Sequence, residues 1–243
     1  MNISSNKIIL NIPNQNLSDD ASTWPINPIE FREYKQPEDS FLKTGEQDYL
    51  NIIKHFDPSA IQKVLDFGCS DARVTRWWNT SNVEVWGCDP QFDKISCAKE
   101  LIGSKINLFT NSELVPHLPF QDNYFDLIYA QSIFTHIKEL HVSWLLELLR
   151  VSKKYLYITL HDEECVDQNL TPRASFLREK RFTELPKEID PNIGFFASNF
   201  YKNVAQVYIS EKYLASILPP FAKIINKIPR AYSNLQTAYI ISK

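Results

Sequence analysis

Two acids, a glycine and a pair of histidines carry the chemistry that this chain offers. Asp66 ends a short apolar run, Gly68 follows it in the stretch VLDFGCSDARVTRWW, and Asp89 ends a second run, VEVWGCDP. The acids lie about 20 residues apart, the spacing at which the second holds a ribose diol while the first loop wraps the rest of a nucleoside. A glycine turn between strand and helix lets the backbone approach such a ligand, and the helix start would offer N–H groups to it. His161 directly follows YLYITL and is expected at the cleft mouth, with Asp162 beside it to fix its tautomer. It reads equally as a hydrogen-bonded loop histidine. His136, in FTHIKEL, is a second strand-end candidate for proton transfer and also reads as packing on the following helix; Glu163 is a further candidate. His117 and His141 are expected at solvent or on a helix surface.

The elements that must position these groups come as strand and helix by turns. Val64–Asp66 precedes a helical segment at Arg73–Trp78, Val83–Cys88 precedes Phe92–Leu101, Ile106–Phe109 stands alone, and Phe125–Ala130 precedes Ile137–Val151, followed by Tyr155–Leu160. This alternation predicts a parallel sheet with helices on both faces, whose ligands bind outside the carboxyl ends of the strands. The residues just after each strand are therefore Asp66 to Ala72, Asp89, Asn111 to Glu113, Gln131 to His136 and His161 to Glu163. Upstream, Gly45–Phe56 has helical spacing and stops at Asp57-Pro58. Residues 1–20 read as a polar arm, and Trp24–Lys43 as a lead-in with short turns. Cys165–Phe200, charged and rich in proline, breaks the rhythm as a lid-like insertion or a plain surface excursion. Glu211–Ile217 reads as a further helix, and Lys223–Ile228 and Thr237–Ser242 as paired strands.

Composition bounds the function classes. A chain of 243 residues with 44% hydrophobic and 23% charged residues is an ordinary globular sequence, long enough for one sizeable core. A net charge of -3 gives no electrostatic footprint for nucleic acid, and no nucleic-acid partner is expected. The four cysteines, Cys69, Cys88, Cys97 and Cys165, lack CxxC pairing and metal-ligand spacing with histidine, so no metal is expected. No apolar run nears the roughly 20 residues of a membrane helix, and the polar start lacks a signal-peptide pattern. A cytoplasmic location and no membrane span are expected. Aromatic side chains at Phe195, Phe196, Phe200 and Tyr201, and near Phe31 and Tyr34, suggest an acceptor pocket or plain core packing.

Three stretches together resemble the class I S-adenosylmethionine-dependent methyltransferases. VLDFGCSDARVTRW is similar to their first motif, an apolar strand followed by D-x-G-C-G-x-G-R; VEVWGCDP to the second; and LPFQDNYFDLIYAQSIFTHI to the segment around the fourth strand. The resemblance covers about Phe41 to Leu160 firmly. It implies an α/β, Rossmann-like fold with a seven-stranded, mostly parallel sheet, helices on both faces and an antiparallel C-terminal strand pair. That domain would span 41–243, behind an arm and lead-in at 1–40, with the lid-like insertion at about 165–205.

The same resemblance implies S-adenosylmethionine as cofactor, with a small-molecule or glycan acceptor methylated at oxygen or nitrogen. Asp66 would orient the amino group of the methionine moiety, Gly68 with Cys69 and Ser70 would let the backbone approach it, and Asp89 with Pro90 would take the ribose. Asn111, Ser112 or Glu113 would meet adenine, Gln131 and Ser132 would lie under the methionine part, and Gly45 would place a loop over the amino-acid end. Arg73 stands at the family's arginine position, where it would offset Asp71 or pair with a carboxylate. Ser70 and Ala72 replace the second and third loop glycines, and Ser70 and Asp71 are placed to cap the following helix. The TLHDEE segment and the PRAYSNLQTAYIISK end resemble methyltransferases of bacterial surface-polysaccharide and secondary-metabolite pathways. Two other readings stand beside this one. The first is a non-catalytic module that binds the same cofactor. The second is a nicotinamide-dependent dehydrogenase, which needs G-x-G-x-x-G where positions 68, 70 and 73 are Gly, Ser and Arg.

Overall fold

The apolar runs pair in the order their lengths and burial demand. The computed structural model describes residues 17–32, 35–79, 82–167, 194–200 and 204–243. Strands β1 (Lys63–Phe67), β2 (Glu84–Asp89), β3 (Asn107–Thr110), β4 (Phe125–Ala130) and β5 (Ser152–Leu160) run parallel. All six residues of β4 are buried, as expected of a central parallel strand covered on both faces. Near the C-terminus, β8 (Lys223–Tyr232) and β9 (Gln236–Ser242) form an antiparallel hairpin, and β9 pairs antiparallel with β5. The seven-stranded sheet has the order β3-β2-β1-β4-β5-β9-β8. A separate antiparallel hairpin, β6 (Phe195–Phe200) and β7 (Val204–Ile209), lies outside that sheet.

The two-residue period of the strands splits the core into two layers. Leu65, Phe67, Ile128 and Ala130 face α3 (His141–Val151), which buries Trp144, Leu145, Leu148 and Leu149. Val64, Val85, Leu127 and Tyr129 face α1 (Glu38–Ile53) and α2 (Phe92–Ile102), which contribute Ile52, Ile95, Ala98 and Ile102. Two short helices, α4 (Glu163–Asp167) and α5 (Glu211–Ile217), complete the described residues. Parallel pairing aligns Phe67 with Cys88 and Asp89 with Thr110, so β1, β2 and β3 end at one edge. The strand order reverses between β1 and β4, and that reversal opens the crevice.

Several elements differ from their sequence reading. No α-helix follows β1: the chain turns twice through left-handed residues, Ser70 (φ 50) and Ala72 (φ 59), and reaches only a 3-10 turn at Thr75–Trp78. Arg76 leaves that turn to donate to the carbonyl oxygens of Ala21 (3.1 Å), Trp24 (2.7 Å) and Pro25 (3.3 Å), strapping the lead-in onto the loop. Helix α1 begins earlier than its apolar spacing signals, after Pro37, with Glu38 and Asp39 in the first turn where the helix dipole favours acids. Helix α3 starts at His141 rather than Ile137, which frees residues 137–140 to line a cavity. His141 is buried: its Nδ1–H donates to Lys138 O (2.8 Å), its Nε2 accepts from Tyr213 OH (2.9 Å), and its ring stacks on Phe195. Residues 168–193, most of the proposed insertion, lie outside the described residues, as do 1–16, Tyr34 and Tyr201.

Gly45 supports the site from the middle of α1. A Cβ there would run into the carbonyl oxygen of Arg73 and come within 2.9 Å of Trp77 Nε1. Alanine improves helix propensity by about 1 kcal/mol, whereas overpacking against backbone costs roughly 1–3 kcal/mol. Gly45→Ala is therefore expected to lower the free energy of unfolding by about 1 kcal/mol in urea titration, against the propensity trend.

Candidate functional site

The loop after β1 is built by spending its own N–H groups. Gly68 (φ +86) and Cys69 both donate to Cys88 O, at 2.8 and 3.0 Å, and Ser70 N donates to Asp89 Oδ2 at 2.9 Å. A side chain at Gly68 would overlap Ile133, so glycine is needed for its backbone angle and for this close approach. Asp89 Oδ1 accepts from Gln91 N at 2.9 Å, which fixes the carboxylate between the two strand ends. Each of its oxygens keeps a further acceptor site. Ser70 and Asp71 cap no helix; Ser70 Oγ instead accepts from Lys94 Nζ at 3.0 Å. With the N–H groups of Gly68, Cys69 and Ser70 engaged and only a 3-10 turn behind them, the loop has no donor nest of the kind that cradles a pyrophosphate.

Two cavities meet at this loop and share Gly68, Asp89, Gln91, Ile133 and His136 in their walls. The larger, about 440 Å³, adds Pro90, Asn111, Glu113, Leu114, Ile137 and Trp144 among its lining residues. The smaller, about 190 Å³, adds Asp66, Cys69, Ser70, Asp71, Arg73, Tyr129, Gln131, Ser132 and Tyr232. Asp66 is buried and accepts from Thr75 Oγ1 at 2.6 Å. Burial pushes its carboxyl up to about 7, with Thr75 and Tyr129 hydroxyls pulling down and Asp89 adding repulsion. Arg73 Nη2 pairs with Asp48 Oδ2 of α1 at 2.8 Å, and its Nη1 donates to Thr44 Oγ1. Burial opposes the Arg73 charge, and Asp48 and the Tyr232 phenol more than offset that opposition. The Gln131 Nε2 donor and the Asn111 Oδ1 acceptor are buried without protein partners.

Other residues singled out in the sequence sit elsewhere. Gly45 lines neither cavity, and Ser112 is exposed, with its hydroxyl accepting from Leu114 N. His161 is buried beneath β7: its Nδ1 accepts from Gln206 Nε2, Ile209 N donates to its carbonyl, and its ring lies 5.1 Å from Tyr208. Burial and the neighbouring His136 push its pKa down to about 4. Asp162 does not hold the His161 tautomer; it accepts from Thr237 Oγ1 (2.8 Å) and Tyr239 OH (2.7 Å), with Lys227 Nζ at 3.4 Å. Glu163 accepts from Glu211 N. Phe195 packs on His141, and neither Phe195 nor Phe196 lines either of these two cavities. Among the described residues no group of three His, Cys, Asp or Glu side chains is arranged to hold a metal ion, and no helix is long and apolar enough to cross a membrane.

Comparison with known proteins bears on the family and the fold. Residues 65–158 match the methyltransferase domain family, a span that includes Asp66, Asp89 and the walls of the larger cavity. Over that span the chain is similar to a methyltransferase domain. The chain shares its fold with a protein of Pyrococcus horikoshii OT3 (18% identity, TM-score 0.58, covering 89% of this chain and 94% of that one). It also matches an S-adenosylmethionine-dependent methyltransferase of Clostridium acetobutylicum (13%, 0.56, covering 83% and 91%). Magnesium protoporphyrin IX methyltransferase from Synechocystis PCC 6803, solved with bound SAH, matches at 12% identity and TM-score 0.54, covering 85% and 84%. No curated protein sequence matches the chain.

The lining of the smaller cavity also fits the S-adenosylmethionine used by the proteins the chain resembles. A sulfonium with an α-amino acid end carries net positive charge, and the smaller cavity sets three carboxyl groups, Asp66, Asp71 and Asp89, against one guanidinium, Arg73. Because burial holds Asp66 protonated well above the unfolded-state value of 3.8, it favours folding fully below pH 4 and progressively less as pH rises to about 7. Asp66→Asn keeps the Thr75 hydrogen bond without that pH dependence. The gap in thermal midpoint between the variant and the parent is expected to widen from pH 4 to 7 in favour of the variant, then level off, as read by calorimetric scans.

Proposed function

We propose that this protein is a methyltransferase that moves a methyl group from S-adenosylmethionine to an oxygen or nitrogen atom of a small-molecule or glycan acceptor. The observation that carries the reading is the pair of cavities converging on Asp89 and His136 beside a buried Asp66. When bound, S-adenosylmethionine supplies an electrophilic methyl group on a positively charged sulfur. Asp66 holds the amino group of the methionine end, exchanging a strained neutral carboxyl for an ion pair in a water-poor site. Arg73 and the unpartnered Gln131 donor face the same end. Asp89 takes the ribose hydroxyls with its remaining acceptor sites, and Pro90, Leu114 and Asn111 receive the base. Transfer is an in-line displacement, so these residues act chiefly by alignment and exclusion of water.

An acceptor hydroxyl needs a proton acceptor, and His136 is the one basic side chain common to both cavity walls. His161, held neutral by burial and covered by β7, does not touch the acceptor in this proposal. Cavities of this size suit a single small molecule or sugar unit. The non-catalytic reading separates from this one at His136. Titration calorimetry is expected to give one S-adenosylmethionine per chain, with at least tenfold weaker binding in Asp89→Ala. With a labelled-methyl screen over sugars, phenols and small amines, His136→Asn is expected to lose about 10²–10⁴ in kcat while binding S-adenosylmethionine as the parent does. No binding by the parent would remove the proposal, and binding without transfer to any acceptor would favour the non-catalytic module.

A further inference from the structure

The C-terminal hairpin reaches the smaller cavity although its strands pair on the far side of the sheet, beyond β5. Tyr232, the last residue of β8, lines that cavity, and across the tip it pairs with Gln236, the first residue of β9. Gln236 is 5% exposed and closes a ring of hydrogen bonds with two other strand ends. Ser132 N, just after β4, donates to Thr159 Oγ1 of β5 at 2.7 Å; Thr159 Oγ1 donates to Gln236 Oε1 at 2.7 Å; and Gln236 Nε2 donates to Ser132 Oγ at 2.8 Å. Thr159 is fully buried, so the ring is shielded from competing water. It holds Ser132 in a left-handed conformation (φ 60) that a serine adopts only when its surroundings demand it.

The cavity lining mixes both kinds of group: Asp66, Asp71 and Asp89 contribute carboxyl oxygens, and Arg73, Ser132 and Tyr232 contribute N–H and O–H groups. With one lone pair of Ser132 Oγ taken by Gln236, its hydroxyl hydrogen is left for Thr135 Oγ1, at a long 3.5 Å, or for a ligand. Such a lining matches an α-amino acid, whose ammonium can meet the carboxyl groups and whose carboxylate can meet the N–H and O–H donors.

We propose that Gln236 is a positioning residue for cofactor recognition, holding Ser132 and the hairpin tip so that Ser132 and Tyr232 grip the carboxylate of the methionine end. The inference rests on the reading of this cavity as the methionine site. It makes the hairpin a wall of that site, and it predicts a selective defect. S-adenosylhomocysteine carries the amino-acid end; 5′-methylthioadenosine has the same nucleoside without it. Titration calorimetry with both ligands, on the full chain and on Gln236→Met and Tyr232→Ala, tests the idea. Each variant is expected to bind S-adenosylhomocysteine at least tenfold more weakly while 5′-methylthioadenosine affinity stays within twofold. Equal weakening of both ligands would make Gln236 merely structural, and unchanged binding of both would remove the hairpin from the site; either result overturns the proposal. Tyr232→Ala, at a hairpin tip, keeps the test open if Gln236→Met does not fold. Failure of the parent to bind either ligand would instead overturn the cofactor assignment on which the inference rests.

Discussion

A carboxyl group near the end of β1, cut off from water, is the constraint on which this molecule turns. Asp66 cannot leave its place, because β1 is paired on both sides and its neighbours Leu65 and Phe67 belong to the core. Nor does the fold supply it with a cation: Thr75 donates one hydrogen bond, and Arg73 is engaged with Asp48. Acids outnumber bases in the lining of this cavity, and in the proposed function a cationic ligand relieves that imbalance. Strain of this kind costs stability and is retained where a ligand repays it.

The first loop illustrates how a motif survives the loss of its glycines. Ser70 and Ala72 take the left-handed backbone that glycine would adopt freely, at roughly 1 kcal/mol or more each. Local bonds offset this: Ser70 N–H donates to Asp89, its hydroxyl oxygen accepts from Lys94 Nζ, and Ala72 N–H donates to Cys69 O, while the Ala72 methyl is fully buried. The cost appears instead as a missing helix. Two left-handed residues cannot start an α-helix, and the segment that follows is held by Arg76 against the lead-in.

Much of the sheet was legible in the sequence because its strands are short apolar runs bounded by Asp, Gly and Pro, whose order alone suggests alternation with helices. Asp66, Gly68, Asp89 and Gln131 could be placed at one edge because parallel pairing brings successive strand ends together. What could not be read depends on contacts between distant segments. His161 looks like a cleft residue until β7, some 45 positions away, lays Gln206 and Tyr208 over it. Helical spacing from Ile137 gave no sign that the first residues would line a cavity instead. Tyr232 sits in a polar turn sequence, and only the pairing of β9 with β5 carries it to the ligand side.

The central claim, that Asp66 awaits a cationic partner, is tested most directly by counting protons. S-adenosylmethionine titrated into the protein at pH 7, in buffers of different ionisation enthalpy, should release about half a proton per cofactor bound, because a carboxyl titrating near 7 is half protonated and must ionise to form the ion pair. The release should vanish in any residual binding by Asp66→Asn. Binding without proton release, or the same release from the variant, would contradict the account.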